Sequence, residues 1–228
     1  MSHKLLLFSP FVYIFMFIPI CYQIKGIPVL KKFILRFRYF HNIILFSISF
    51  AMTIFSLYYL SFKQKTFHNL VCEKSYPAPI YEHIWLYSKI YEWFDTLFLI
   101  LSDKTVISLH RNHHASTALL VLIQYIGRDV RTSITDIPVF LNSIVHVFMY
   151  LYYLNPPVFL YMKKFITRIQ ILQHIIALFI IIYTTIIVML GNQQCDTGII
   201  SNIISLLSYT MYLVQFWNFY ITSYSKTM

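Results

Sequence analysis

The chain reads as an all-α integral membrane protein with seven transmembrane helices. Composition is the first observation: 58% of the 228 residues are hydrophobic and 11% are charged, against about 25% charged in an ordinary soluble domain. So little polar surface cannot coat a water-soluble globule. The second is uncharged length, as in "LLLFSPFVYIFMFIPICYQI" and "IIALFIIIYTTIIVML"; about 20 such residues cross the ~30 Å hydrocarbon layer. The third is repetition, since seven apolar runs alternate with polar breaks.

Taken in order, the runs cover Leu5–Ile24, Tyr39–Phe62, Ile80–Leu101, Leu109–Ile126, Thr135–Leu154, Phe165–Leu190 and Ile199–Thr222. The first follows Lys4 like a secretory signal, but it exceeds the usual ~7–15-residue signal core and lacks a small-x-small exit, so a retained helix is expected. Pro10 and Pro19 would bend it without preventing a span. The third is the least hydropathic, because it holds Lys89, Glu92 and Asp95. Charges at that depth need a protein interior to face.

The formal charge of +10 suits an anionic leaflet or a polyphosphate ligand. Nothing points to nucleic acid, because the basic residues are dispersed over loops and match no binding module. One alternate set of loops and ends carries eleven Lys and Arg, including Lys31, Lys32, Arg36, Arg38, Lys163, Lys164 and Arg168; the other carries six. The positive-inside rule then puts the amino terminus in the lumen or outside and the carboxyl terminus in the cytosol.

This orientation gathers the polar residues. His110, His113 and His114 open the fourth helix at its cytosolic end, and positions i, i+3 and i+4 share a face. On the fifth helix, His146, Met149, Tyr150 and Tyr153 form one stripe, with Asn142 a turn earlier. The sixth brings Thr167, Gln170 and Gln173, and the third brings Lys89, Glu92 and Thr96 with Asp95 adjacent. Together they would line a cavity in the cytosolic half of the membrane. Plainer roles compete: Tyr152 and Tyr220 suit interfacial anchoring, Gln170 and Gln173 suit interhelical hydrogen bonds, and Lys89 suits a structural ion pair. His3, His41, His68 and His83 lie at edges or in loops and receive no role.

Two chemistries fit a histidine cluster. One is metal, as in a membrane di-iron desaturase or hydroxylase using "HRNHH" as a histidine box. Two irons need several boxes, and only His146 and His174 remain inside other helices; no zinc-site spacing appears either. The other is catalysis by imidazole itself, as nucleophile, acid or base. Cys21 lies in the first span, and Cys72 and Cys195 lie in lumenal loops, so no cysteine is near enough to hold an acyl group.

At this point four boxes stand in order: "KIYEWFDT" (K-x-x-E-x-x-D-T), "HRNHH" (H-x-x-H-H), "HVFMYLYY" (H-x-x-M-Y-x-Y-Y) and "TRIQILQ" (T-x-x-Q-x-x-Q). With them the chain resembles the ELO family of very-long-chain fatty acid elongases, the membrane 3-ketoacyl-CoA synthases, from about Phe33 to Tyr220. It departs at Asn112, where the family often has an aromatic residue, and at Arg168, where it often has Gln.

The resemblance implies that helices two to seven form a six-helix barrel of two inverted three-helix units, with helix one outside, in the endoplasmic reticulum. It implies condensation of a long-chain acyl-CoA with malonyl-CoA, to give 3-oxoacyl-CoA, CO2 and CoA. No tightly bound cofactor or metal is expected, and the partners would be lipid, the two CoA thioesters and the reductases and dehydratase of the elongation cycle; a homodimer is compatible. His113 would be the nucleophile, with His146 and Asn142 orienting the thioester and His110 and His114 tuning His113. Tyr150, Tyr153, Gln170 and Gln173 would shape the substrate cavity. Lys89, Glu92, Asp95 and Thr96 would support the histidines from behind, and Lys163, Lys164 and Arg168 would attract CoA phosphates. Cys72 and Cys195, both lumenal, are expected to form a disulfide, leaving Cys21 a buried thiol.

A non-enzymatic seven-helix receptor or transporter is the alternative from another class. A receptor would put its pocket outside and end its third helix in a D-R-Y-like triplet, which is missing. A transporter would need access from both faces.

Overall fold

The computed structural model describes residues 7–62, 66–72, 80–129, 136–155, 157–191, 195 and 197–224. The span ends Leu5 and Thr135, and the loop residues Lys4, Lys63, Lys65, Lys74, Arg131 and Lys226, lie outside the described residues. All regular structure among the described residues is helical: α1 (Ser9–Phe11), a π-helical turn (Val12–Phe17), α2 (Ile18–Lys25), α3 (Pro28–Leu35), α4 (Arg38–Phe62), α5 (Phe67–Cys72), α6 (Ile80–Tyr91), α7 (Trp93–Leu101), α8 (Ser108–Asp129), α9 (Asp136–Leu154), α10 (Met162–Met189) and α11 (Ile199–Tyr224).

Among the described residues, four helical runs are long and apolar enough to cross a membrane: Pro28–Phe62, Asp136–Leu154, Met162–Met189 and Ile199–Tyr224. The other three expected spans are helical but fall short for identifiable reasons. The first is the shorter apolar helix Ser9–Lys25. Pro10 sits in the first turn of this helix, where a missing N–H costs least, and Pro19 lies inside it, directly after the π turn. The third, expected to be continuous, is divided at Glu92 into α6 and α7. There the Asp95 N–H bonds the Glu92 carbonyl at 3.0 Å, an i→i+3 closure that tightens the helix. The fourth opens on the polar run "SLHRNHHAST", which lowers its hydropathy.

α3 was not expected. Ile27 is extended, with φ −108° and ψ 96°, as a residue before proline prefers, and Pro28 then starts the helix. It leaves Val29 82% exposed and carries Lys31 and Lys32.

Packing pairs the long segments in sequence: α4 with α9, α9 with α10, α10 with α11, α11 with α8, α8 with α6 and α6 with α4. α1 and α2 pack against α8 and α7. Met52, Trp85, Leu86, Val121, Leu122 and Val139 make one core from α4, α6, α8 and α9. A second joins α10 and α11 to Val71 and to the Cys72–Cys195 disulfide, which closes a sequence separation of 123. Cys21 is a free buried cysteine.

Burial is inverted relative to a soluble protein. Phe15, Phe50, Phe179 and Leu207 are exposed on the outside, while Ser56, Thr184 and Asn202 are fully enclosed. An apolar exterior is what lipid favours, and the enclosed polar groups satisfy one another. Thr197 Oγ1 donates to Asn202 Oδ1 at 2.6 Å, and Asn202 Nδ2 donates to Thr185 Oγ1 at 3.1 Å.

Candidate active site

Glu92 sits at the α6–α7 break and Lys89 one turn before it, 3% and 2% exposed. Two buried charges persist only with partners. Lys89 Nζ donates to Glu92 Oε1 at 2.8 Å and to Asn142 Oδ1, on α9, at 2.7 Å. Trp85 Nε1 donates to the same Asn142 oxygen at 3.2 Å. Ammonium and indole N–H can only donate, so the amide orientation of Asn142 is fixed, with its Nδ2 turned to His146 Nε2 at 3.3 Å. His146 Nδ1 lies 3.4 Å from Glu92 Oε1. The arrangement is self-consistent for an imidazole protonated on Nδ1 with its Nε2 lone pair towards Asn142.

A second knot ties α4, α7 and α9. Asp95 accepts from Tyr150 OH at 2.8 Å and from His41 Nε2 at 2.9 Å. Asn42 Nδ2 donates to the Tyr153 carbonyl at 3.3 Å, although the Tyr153 side chain is 42% exposed and touches Tyr150 only at its ring edge, 5.9 Å between centroids.

The three histidines of α8 do not point together. Successive helical residues diverge by about 100°, so His113 and His114 fork. His110 and His114 stack at 4.2 Å, and His110 Nε2 lies 2.8 Å from Thr96 Oγ1. His113 turns instead towards α11, its ring 5.0 Å from Tyr212 and 6.0 Å from Phe216. Among the described residues, no group of three or more His, Cys, Asp or Glu is arranged to hold a metal ion.

His113 borders a narrow cavity. Trp85, Lys89 and Asn142 form one wall, Thr117, Leu120 and Val121 continue down α8, and Gln173, His174, Tyr209 and Tyr212 close the far side. Three buried atoms of its lining have no hydrogen-bond partner: His113 Nδ1, Gln173 Oε1 and His174 Nδ1. Such atoms are rare in folded proteins and mark a place for a polar ligand or water.

The structure therefore brings Lys89, Glu92, Asn142 and His146 into one cluster, Asp95 and Tyr150 into a second, and Thr96 and His110 into a third. Lys163, Lys164 and Arg168 stand apart. Lys163 Nζ lies 5.8 Å from the Tyr152 ring, and Lys164 and Arg168 lie 6.0 and 5.9 Å from the Tyr220 ring. Gln170 is half-buried and enters none of these contacts. Sequence reasoning gave no role to His41, His174, Trp85 or Tyr13. Their partners are distant in sequence, and the only available sign was a polar or aromatic residue inside an apolar run.

The model of the ELO family, described as the GNS1/SUR4 family, matches residues 2–228. Fatty acid elongase sre1 of Dictyostelium discoideum is 31% identical over 202 residues, 83% of this chain and 73% of that protein. Long chain fatty acid elongase 1 of Caenorhabditis elegans is 30% identical over 149 residues, 62% of this chain and 50% of that protein. Very long chain fatty acid elongase 5 of Pongo abelii is 34% identical over 156 residues, 62% and 48% of the two chains. The chain spans about half the length of most of the curated relatives it matches. With the family model matched along nearly all of its length, the chain belongs to the ELO family.

Proposed function

We propose that this chain performs the condensing step of fatty acid elongation. A long-chain acyl-CoA and malonyl-CoA would give 3-oxoacyl-CoA, CO2 and CoA, with the acyl group carried meanwhile on His113. The observation that carries the reading is the shared cavity: an unpartnered His113 nitrogen and the Lys89–Asn142 pair line the same space.

In the first half-reaction the His113 imidazole attacks the thioester carbonyl. A C–N bond forms, the C–S bond breaks, and the imidazole proton passes to the leaving thiolate, releasing CoA. In the second, malonyl-CoA loses CO2 and the freed electron pair forms an enolate. Its α-carbon attacks the acyl carbonyl, the C–N bond breaks, and the departing imidazole takes up a proton. One proton is consumed per turnover.

The site residues match these demands. Lys89 Nζ and the Asn142 Nδ2 group are donors for the oxyanion that develops at each attack. The His146 Nε2 lone pair can receive a proton, and Glu92 holds that tautomer. Leu120 and Val121 give the acyl chain an apolar wall. Lys163, Lys164 and Arg168 offer charge to CoA phosphates at the cytosolic mouth. The ring of helix pairs is read here as a barrel of α4 to α11, two inverted three-helix units, with α1 and α2 outside. Seven spans, a lumenal amino terminus and an endoplasmic reticulum location complete the reading, with the cycle's reductases and dehydratase as partners.

The test is a half-reaction. Purified protein given acyl-CoA alone should release CoA stoichiometrically and gain the acyl mass on the His113 peptide; malonyl-CoA added next should discharge it as the 3-oxo product. Product without early CoA release would remove the covalent step. No product from either order of addition would remove the condensation.

A further inference from the structure

Tyr13 lies in the first helix, before all four boxes, yet its side chain is fully enclosed. Its hydroxyl is 2.6 Å from Thr96 Oγ1, and Thr96 Oγ1 is 2.8 Å from His110 Nε2. His110 in turn stacks on His114 at 4.2 Å, and the Tyr13 ring itself lies 6.3 Å from that of His114. A segment packed against α7 and α8 from beside the site thus ends a hydrogen-bonded chain that reaches the histidine cluster.

The local backbone is shaped for this. Tyr13 and Phe17 both fall in the π-helical turn Val12–Phe17, where the Ile18 N–H reaches back to the Tyr13 carbonyl. Their rings stack at 6.0 Å, and both pack on Trp93, at 5.2 and 5.7 Å. Trp93 Nε1 in turn donates to the His114 carbonyl at 3.2 Å. Single π turns inside helices recur at functional sites because they redirect side chains that a regular helix would point elsewhere.

The hydrogen-bonded chain can run in one of two directions. Either hydroxyl of the Tyr13–Thr96 pair can be the donor, and in one of the two directions Tyr13 gives its single proton to Thr96 Oγ1. Having accepted there, Thr96 is free to give its own proton to His110 Nε2. A nitrogen that accepts carries no hydrogen, so in this direction the His110 proton resides on Nδ1, and in the reverse direction on Nε2.

We propose that Tyr13 is a positioning residue for the histidine cluster: acting as donor through Thr96, it fixes which nitrogen of His110 carries the proton. Its effect on turnover rests on the condensation reading of the site; its effect on the tautomer does not.

The experiment uses the full chain in detergent with ¹⁵N-labelled histidine, the His110 signals being those lost in His110→Gln. Wild type is expected to show His110 protonated on Nδ1. Tyr13→Phe keeps the ring and removes only the hydroxyl, and His110 should become a mixture of tautomers. Thr96→Val should do the same, and adding Tyr13→Phe to it should change nothing further. Phe17→Leu, which disturbs packing on the same turn but not the chain, should leave the His110 tautomer intact. In assays, Tyr13→Phe should lower kcat about tenfold at constant KM, the scale of one lost hydrogen bond. An Nε2-protonated His110 in wild type, an unchanged His110 spectrum in Tyr13→Phe, or an equal disturbance by Phe17→Leu would overturn the proposal. A wild type inert towards both thioesters would count against condensation alone, with the spectra still deciding the tautomer.

Discussion

Lys89 Nζ lies 2.7 Å from Asn142 Oδ1, across 53 residues of sequence. This cation on α6 dictates which way an amide on α9 faces, and through that amide the presentation of His146. The stability of the fold and the chemistry of the site therefore share one buried ion pair.

Removing the cation should cost far more than removing the pair. Lys89→Met strands Glu92 as a buried unpaired carboxylate, and a loss of about 3–5 kcal/mol is expected. Lys89→Met with Glu92→Gln should recover most of it. Unfolding in mixed micelles measures both, and equal losses in the two variants would contradict the pairing.

Asn142→Asp reverses one hydrogen bond without changing shape. The new oxygen facing His146 Nε2 accepts instead of donating, which draws a second proton onto the imidazole and removes its lone pair. Turnover should fall about 10²-fold with the acyl-CoA KM little changed. Steady-state kinetics with labelled malonyl-CoA gives both numbers.

The Cys72–Cys195 bond closes a separation of 123 residues, so its entropic contribution is large, up to about 4–5 kcal/mol in the chain-entropy account. Cys72→Ser with Cys195→Ser should lower the melting temperature, and wild type with reductant should match it. In folded protein without reductant, an alkylating reagent should label neither cysteine of the pair, and Cys21 should react only on denaturation.

Asp103, in the loop between α7 and α8, contacts Lys31 at 2.6 Å and Lys25 at 2.9 Å. Hydrogen bonds from Lys31 and then Lys25 lower its carboxyl from 3.8 to about 2. A depressed carboxylate adds stability above its unfolded value and loses it as pH falls from near 3.8 through about 2. Because the group is exposed, the effect should be small and weaken with salt. A ¹³C-aspartate titration should find its midpoint near 2, and Lys25→Ala with Lys31→Ala should return it to the ordinary range.

Helix positions were legible because lipid imposes them: a chain must offer long apolar runs wherever it crosses. The expected Tyr39–Phe62 and the observed Arg38–Phe62 differ by one residue, and Ile199–Thr222 against Ile199–Tyr224 by two. The exceptions are instructive. The break at Glu92 follows from where Lys89 and Glu92 find partners, and α3 follows from Pro28, which starts a helix at the head of a basic cluster read only as loop charge.

Sequence alone determined that histidines, carboxylates and an amide are carried on separate apolar helices, since helical periodicity and the burial cost of charge are local rules. Only the tertiary structure decided their partners: His113 away from His114 and onto Tyr212, His41 onto Asp95, Tyr13 onto Thr96. Those pairings span 54 to 99 residues. A hydrogen bond depends on position to within a fraction of an ångström, and the packing of whole helices, not the spacing along any one of them, sets that position.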